Sequence, residues 1–331
     1  RRGDRPGGAA VTTARGELQV DAPPSGTMAD DLEGGGNEPQ IMRRQSIESF
    51  NALKADMARG PMVLEEQMEN NPVEIQIDNS ADNNIGDVLV VGGGISGIQG
   101  ALDLANSGFR VFLVGKSPAF GGKMAQLDKT FPTGDCAMCM ISPRMVENSR
   151  HPNIKIHTMA QVTEISGVAG NFTLKISQTA RYVDPITCTG CGACDKKCPQ
   201  KVPGEFDQVL SKRKAIFSLF PQAVPNTRVI DPYHCIYLTK GKCRACEKAC
   251  DANAINFEDT PQEFDLKAGA VLLCPGLDTY DPTIQQELGY GRWPNVVTSL
   301  QFERILSASG PFQGAIKRLS DGEHPKRIAC I

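Results

Sequence analysis

The sequence lacks an excess of either charge. Lys plus Arg number 35 and Asp plus Glu 38 in 331 residues, a formal net charge of -3. That balance removes the case for a generally basic nucleic-acid binder. Long apolar runs are missing too: none approaches the roughly 20 residues that cross a membrane as a helix. No charged start leads into an apolar stretch, because Arg1 and Arg2 run into Gly, Pro and Ala, so no signal peptide is expected. What the chain has is 40% apolar residues, enough for a sizeable core, and twelve cysteines. Ten of these fall into three groups, Cys136/Cys139, Cys188 to Cys198 and Cys235 to Cys250, with Cys274 and Cys330 apart. Tight grouping in a long chain without a secretion signal favours metal over disulfides, and a reducing cytoplasm.

Residues 1–42 are rich in Gly, Ala, Pro and acids without periodicity, and are expected to be disordered. Met28 is an alternative start. Residues 43–84 are read as a helix and linker: Ile47, Phe50, Leu53 and Met57 recur at helical spacing before Pro61. Residues 87–91 form a short buried strand, 96–107 a helix closed by Gly108, and 110–114 a second strand. This is the opening of a doubly wound, Rossmann-like α/β domain, whose first part spans 85–180. Strand-like runs recur at 154–157 and 172–176. Residues 181–260 carry the two larger cysteine groups, and 270–273 then resume a buried strand. The cysteine module is therefore expected to be inserted into the α/β domain, which continues over 261–331. Residues 327–331 read as the start of a further strand, so the domain is expected to be truncated.

Gly92-Gly93-Gly94-Ile95-Ser96-Gly97 fits G-x-G-x-x-G between a strand and a helix. Gly92 permits the tight turn, Gly94 lets the backbone approach a pyrophosphate, and Gly97 lets the helix pack closely on the strand. The phosphates would sit at the positive helix N-terminus. The usual companion, a carboxylate ending the second strand, is absent: Gly115 stands there. A charge-assisted bond of roughly 1.5–3 kcal/mol to the ribose is thereby missing. Gly121-Gly122-Lys123 follows, a pair that suits close passage of backbone along FAD.

Cys188-x2-Cys191-x2-Cys194-x3-Cys198-Pro199 matches the bacterial ferredoxin run that folds around a [4Fe-4S] cube. In two-cluster ferredoxins the fourth cysteine crosses to the other cluster. The second group, Cys235 with Cys243-x2-Cys246-x3-Cys250, supplies the counterpart, with a longer first gap and Asp251 in place of the proline. The exchange gives Cys188, Cys191, Cys194 and Cys250 as one set, and Cys235, Cys243, Cys246 and Cys198 as the other. A zinc ribbon also uses C-x2-C pairs but does not account for the full run. Cys136-Ala137-Met138-Cys139 is one further C-x-x-C, open to three readings: redox pair, half of an additional metal site, or coincidence.

Together these segments resemble the HdrA family, the flavin-bearing iron–sulfur proteins of heterodisulfide reductase, and its bacterial relatives. The resemblance is carried by residues 91–99, by 121–133 with Asp135-Cys136-Ala137-Met138-Cys139, by both cysteine runs, and by Pro221-Gln222-Ala223-Val224-Pro225, Pro294 to Leu300 and Phe302-Glu303-Arg304. It implies a thioredoxin-reductase-like FAD domain with an inserted α+β ferredoxin domain holding two [4Fe-4S] clusters. It also implies membership of larger cytoplasmic complexes, with other heterodisulfide-reductase-like subunits and a ferredoxin or a hydrogenase or dehydrogenase donor as partners. In methanogens such a flavin divides electrons between ferredoxin and a heterodisulfide of coenzymes M and B. Gly115 and Cys274-Pro275-Gly276 depart from the family pattern.

Three functions follow. The first is an FAD and iron–sulfur oxidoreductase subunit, which needs no side-chain acid, base or nucleophile. The second is an iron–sulfur electron relay with a degenerate flavin site, in which a Glu restored at position 115 should recover flavin. The third is a thiol–disulfide reductase working through Cys136 and Cys139.

Overall fold

A strand covered on both faces needs β-branched and apolar residues throughout, and Val88–Val91 (β1) has them. The glycines that follow end it, and Ile95–Asn106 (α1) buries Ile98, Ala101, Leu102 and Ala105. Val111–Gly115 (β2) pairs parallel with β1, Val88 opposite Val111 and Val91 opposite Val114. Ala137–Arg150 (α2) leads to Ile154–Thr158 (β3), parallel to β2. Ala160–Val168 (β4) and Asn171–Gln178 (β5) then form an antiparallel pair. The computed structural model describes residues 86–331; the expectations for 1–42 and 43–84 lie outside the described residues.

The cysteine-bearing stretch comes next. It holds Ala193–Lys197 (α3), Lys201–Pro203 (β6), Lys212–Lys214 (β7), Ile216–Phe217 (β8), Val229–Ile230 (β9), Ile236–Lys240 (α4) and Ala245–Lys248 (α5). The chain then returns in Gln262–Ala268 (β10), antiparallel to β5, and Ala270–Leu273 (β11), parallel to β1. Ser299–Leu306 (α6) follows, opened by a reciprocal capping box between Thr298 and Gln301. The parallel sheet has the order β11-β1-β2-β3, and the antiparallel one β10-β5-β4.

Strand alternation sorts the core into two layers. Val88, Val90, Val111 and Leu113 face α1 and α2, packing with Ile98, Ala101, Ala105, Ile141 and Met145. Leu89, Phe112 and Val114 face the other way, onto Ile165, Leu174, Ile176 and Ala268 of the antiparallel sheet. The expected doubly wound layering is thus met on one side only. The second face is covered by a sheet, because β5 and β10 carry apolar residues at every second position and so present one apolar face. Helix and strand positions near the glycine turn agree with expectation to within a residue. The expected strand at 327–331 is not formed: the backbone there has no ladder partner among the described residues.

One polar clamp closes the cysteine-bearing stretch at its own root and another joins it to the rest. At its root, the Asp259 carboxylate accepts the backbone N–H of Arg181 at 2.8 Å and of Tyr182 at 2.9 Å. On the opposite side Arg304, 1% exposed, pairs with Asp207 at 2.9 Å, donates to Gln126 O at 3.3 Å and lies over the Phe206 ring. Asp128 N–H donates to Glu303 Oε2 at 2.9 Å, and Gln126 Nε2 to Phe206 O at 2.9 Å. Removing one partner of a buried ion pair leaves the other desolvated and uncompensated. Asp207→Ala is expected to cost about 3–5 kcal/mol, read as a lower denaturant midpoint with an unchanged slope.

Candidate functional site

The glycine turn is built by close backbone approach. Gly92 sits at φ +119°, and an added Cβ there would overlap the Cys274 carbonyl. A Cβ on Gly97 would overlap the Gly92 carbonyl, so only glycine lets α1 start where it does. Gly121 donates its N–H to Gly93 O at 2.8 Å, and a Cβ on Gly122 would lie 2.8 Å from Gly94 Cα. The turn and the later glycine pair therefore form one surface. Gly94 is different: a Cβ added there meets nothing within 4 Å. It is also the N-cap of α1, with no side-chain cap. Free first-turn N–H groups beside open space suit an anion. Lys123 is half-buried in the adjoining 3-10 turn Gly122–Gln126, with no bonded partner among the described residues.

The missing carboxylate at 115 has a steric counterpart. A Cβ on Gly115 would come within 2.9 Å of Phe120 Cε1, and one on Gly93 would overlap the same ring. Phe120 is 2% exposed, held by its N–H to Val224 O at 2.9 Å. An aromatic ring thus takes the room that a side chain ending β2 would need. Sequence reading saw the absent acid but not what replaces it, since Phe120 reaches the site through a loop return that no spacing encodes.

The eight cysteines of the two runs share one small core with Val183, Ile216, Ile230 and Ala254, except Cys191 and Cys243, which are exposed. The short helices α3 and α5 pack against each other. Each starts from left-handed backbone: Gly192 at φ 78°, and Cys243 and Arg244 at φ 94° and 111°. A small pocket of about 20 Å³ is lined by Cys198, Cys235, Cys243 and Cys246, with Ile216, Ile230 and Phe257. The fourth cysteine of the first run is therefore grouped with three of the second. Burial pushes the Cys246 thiol up to about 12, with Cys235 and Cys198 adding to it. Burial, and then Asp195, raise Cys194 to about 11, opposed by Arg228. Cys191 is lowered, first by the backbone N–H of Ala193. A single tetrahedral zinc would draw its sulfurs to about 4 Å of one another. Among the described residues no three His, Cys, Asp or Glu converge on such a one-ion site.

Two arginines missed by sequence reading flank the first run. Arg228, with a side chain 13% exposed, lies 3.3 Å from Asp195 Oδ2. Arg181 is 8% exposed and donates only to neutral oxygens: Thr158 Oγ1 at 3.0 Å, Pro118 O at 2.9 Å and Arg228 O at 3.2 Å. Burial lowers it to about 10, and the Cys188 thiolate opposes that shift. Cys136 and Cys139 form a disulfide with Cα atoms 5.2 Å apart. Cys136 is the N-cap of α2, its sulfur accepting the Cys139 N–H at 3.2 Å. No helix among the described residues is long and apolar enough to cross a membrane.

Residues 87–169, which hold the glycine turn and the first three parallel strands, match the family of FAD dependent oxidoreductases. The chain is 55% identical over 243 residues to a CoB--CoM heterodisulfide reductase iron-sulfur subunit of the HdrA type from Methanopyrus kandleri, covering 73% of this chain and 36% of that protein. It is 44% identical over 277 residues to the corresponding HdrA protein of Methanocaldococcus jannaschii, covering 83% and 40%. The chain belongs to the HdrA family. It spans about two fifths of the length of these HdrA relatives. Thioredoxin reductase of Streptococcus pyogenes aligns at 19% identity and TM-score 0.21 over 29% of this chain and 26% of that one, a likeness too slight to carry an argument.

The Phe120 contact generates a test. Overpacking a filled site costs about 1–3 kcal/mol. Gly115→Glu is therefore expected to lower thermal stability and leave flavin binding no tighter, checked by calorimetry and flavin fluorescence titration. A gain in flavin affinity would show that the ring yields.

Proposed function

We propose that the chain is the flavin and cluster-bearing part of an electron-transferring oxidoreductase subunit. On this reading, residues 85–180 with 261–331 form the FAD domain and 181–260 an inserted ferredoxin-like module. The observation that carries the reading is the pocket in which Cys198 joins Cys235, Cys243 and Cys246, the grouping that a crossed two-cluster ferredoxin requires. Cys188, Cys191, Cys194 and Cys250 are left as the complementary set.

In the flavin domain, the open space at Gly94 and the uncapped start of α1 receive the pyrophosphate. Gly121 and Gly122 keep the neighbouring backbone close, and Lys123 adds a positive charge. Flavin, when bound, accepts an electron pair and releases it in single steps to one-electron clusters. The protein's part is to hold the two centres at a fixed separation. The Arg304–Asp207 clamp does this by tying Gln126, just past the glycine pair, to Phe206 and Asp207 of the module. The partners proposed are other subunits of a heterodisulfide-reductase-like complex and a ferredoxin, hydrogenase or dehydrogenase donor, in the cytoplasm. Division of electrons between two acceptors is part of the same proposal.

One observation favours a second reading, a cluster relay without flavin: Phe120 occupies the room beside Gly115. The Cys136–Cys139 disulfide at the start of α2 likewise bears on the reductase reading. Cys136→Ser that keeps all iron but loses disulfide reduction would favour the reductase. Loss of iron would make the pair a ligand pair for a further cluster.

Two experiments test the main reading. Anaerobically reconstituted chain is expected to hold about eight irons and one FAD. Cys198→Ala and Cys246→Ala should each lose the same cluster, so that the double variant loses no more iron than either single one. Iron losses that add would break the crossed assignment, and clusters without flavin would favour the relay. Gly94→Ala is expected to change stability by under about 1 kcal/mol, as an N-cap change, yet to abolish flavin retention. Retained flavin would remove Gly94 from the site.

A further inference from the structure

Arg181 is a buried cation whose side chain meets no carboxylate among the described residues. Its side chain makes three hydrogen bonds, and all of them go to neutral oxygens, Thr158 Oγ1, Pro118 O and Arg228 O. No carboxylate among the described residues pairs with it. Asp259 accepts the backbone N–H groups of Arg181 and Tyr182, not its guanidinium. An arginine at about 10 is still protonated at neutral pH, so the charge is permanent under working conditions. A charge removed from water and left unpaired is costly. A position that tolerates it needs a compensating negative charge elsewhere.

On the two-cluster reading that charge comes from the first cysteine run. Tyr182, the residue after Arg181, packs in the same small core as Cys188, Cys194 and Cys250, and Cys188 favours the charged guanidinium. Arg228, whose backbone oxygen takes an Arg181 N–H, carries its own guanidinium against Asp195, beside Cys194. The two arginines are not equivalent. Arg228 shares its charge with Asp195 at 3.3 Å, whereas Arg181 shares its charge with no acid. Arg181 also lies at a junction. Thr158 ends β3 and Pro118 follows β2, at the edge of the parallel sheet where α/β folds bind their ligands. Its other partner, Arg228, belongs to the cysteine-bearing stretch.

We propose that Arg181 is a positioning residue whose fixed charge raises the reduction potential of the cluster held by Cys188, Cys191, Cys194 and Cys250, while docking that cluster against the sheet edge. The inference rests on the two-cluster reading above. The sign follows from electrostatics. Reduction adds one negative charge to a centre already surrounded by thiolates. A nearby buried cation stabilises the reduced state more than the oxidised one, and net charge is one of the levers on cluster potential. Water screens an exposed lysine far more strongly than a guanidinium at this depth.

The test is a redox titration of the cluster-loaded full chain, followed by electron paramagnetic resonance. Arg181→Gln keeps an amide donor but removes the charge. It is expected to raise the oxidised-to-reduced ratio of one cluster at least tenfold at fixed potential, a downward shift of about 59 mV for a one-electron couple. The other one-electron step should stay where it is. Arg181→Lys keeps the charge with fewer donors and should leave both steps in place while lowering thermal stability. If Arg181→Gln does not fold, Arg181→Met, which keeps most of the length of the side chain and removes its charge, takes its place with the same expected shift. A Gln variant with full iron and unmoved potentials overturns the inference. So does a Lys variant that shifts as far as Gln, because hydrogen-bond geometry would then be the cause. If the unaltered chain takes up no cluster, the two-cluster reading itself fails, which iron content reports before any variant is made.

Discussion

A single buried guanidinium, that of Arg304, holds together three stretches of chain that lie far apart in sequence. It reaches Asp207 in the cysteine-bearing stretch, Gln126 beside the glycine pair, and the face of the Phe206 ring. Burying an arginine this deeply is tolerable only because its donors and its charge are met at once. The consequence is positional. The glycine surface and the cysteine core centre on separate hydrophobic clusters, and Phe220, Ala223 and Val224 of the cysteine-bearing stretch pack into the first of them. Directional polar bonds at Arg304, and those of Arg181 to Thr158 and Pro118, add what non-directional burial does not.

The same economy of space governs the flavin side. Gly92, Gly97 and Gly122 are glycines because other backbone lies where their side chains would be. Gly94 is glycine although the space beside it is open. Three are explained by the fold alone, and the fourth is not, which singles out Gly94 as the one whose missing side chain leaves room for something outside the chain. Gly115 belongs with the first three: its neighbour is the Phe120 ring, so the absence of an acid there is a packing solution as much as a lost ribose contact.

The readable parts of this molecule were those written in local spacing. A β-branched run, a glycine fingerprint and a 3.6-residue apolar period placed β1, the turn, α1 and β2 almost residue for residue, since each depends on neighbours a few positions away. The cysteine runs were legible for the same reason, and the reading that Cys198 is exchanged between them came from the two-cluster ferredoxin pattern. What stayed hidden depends on chain return. The second face of the parallel sheet is covered by β4, β5 and β10, where alternation was visible only as scattered strand-like runs. Arg181, Arg304 and Phe120 look like ordinary residues in sequence. Their roles exist only after distant segments have met, as Arg181 does with Pro118 and Arg304 with Gln126. Residues 327–331 erred the other way, since an apolar ending reads as a strand whether or not a ladder partner is there.

Charge ties these observations together. A stretch that gathers six thiols in one small core and two more at its surface would accumulate negative charge if those thiols became ligands, and burial already resists it, as the raised Cys194 and Cys246 show. Surface lysines would offset that charge only weakly through water. The stronger compensation has to come from inside, and the interior cations on the first run are Arg181 and Arg228, bonded to one another through backbone. Both stand where the module meets the sheet. The contact of Arg181 with the sheet is therefore also a place where interior cations lie beside the first cysteine run, and a change made there to packing will disturb that charge balance.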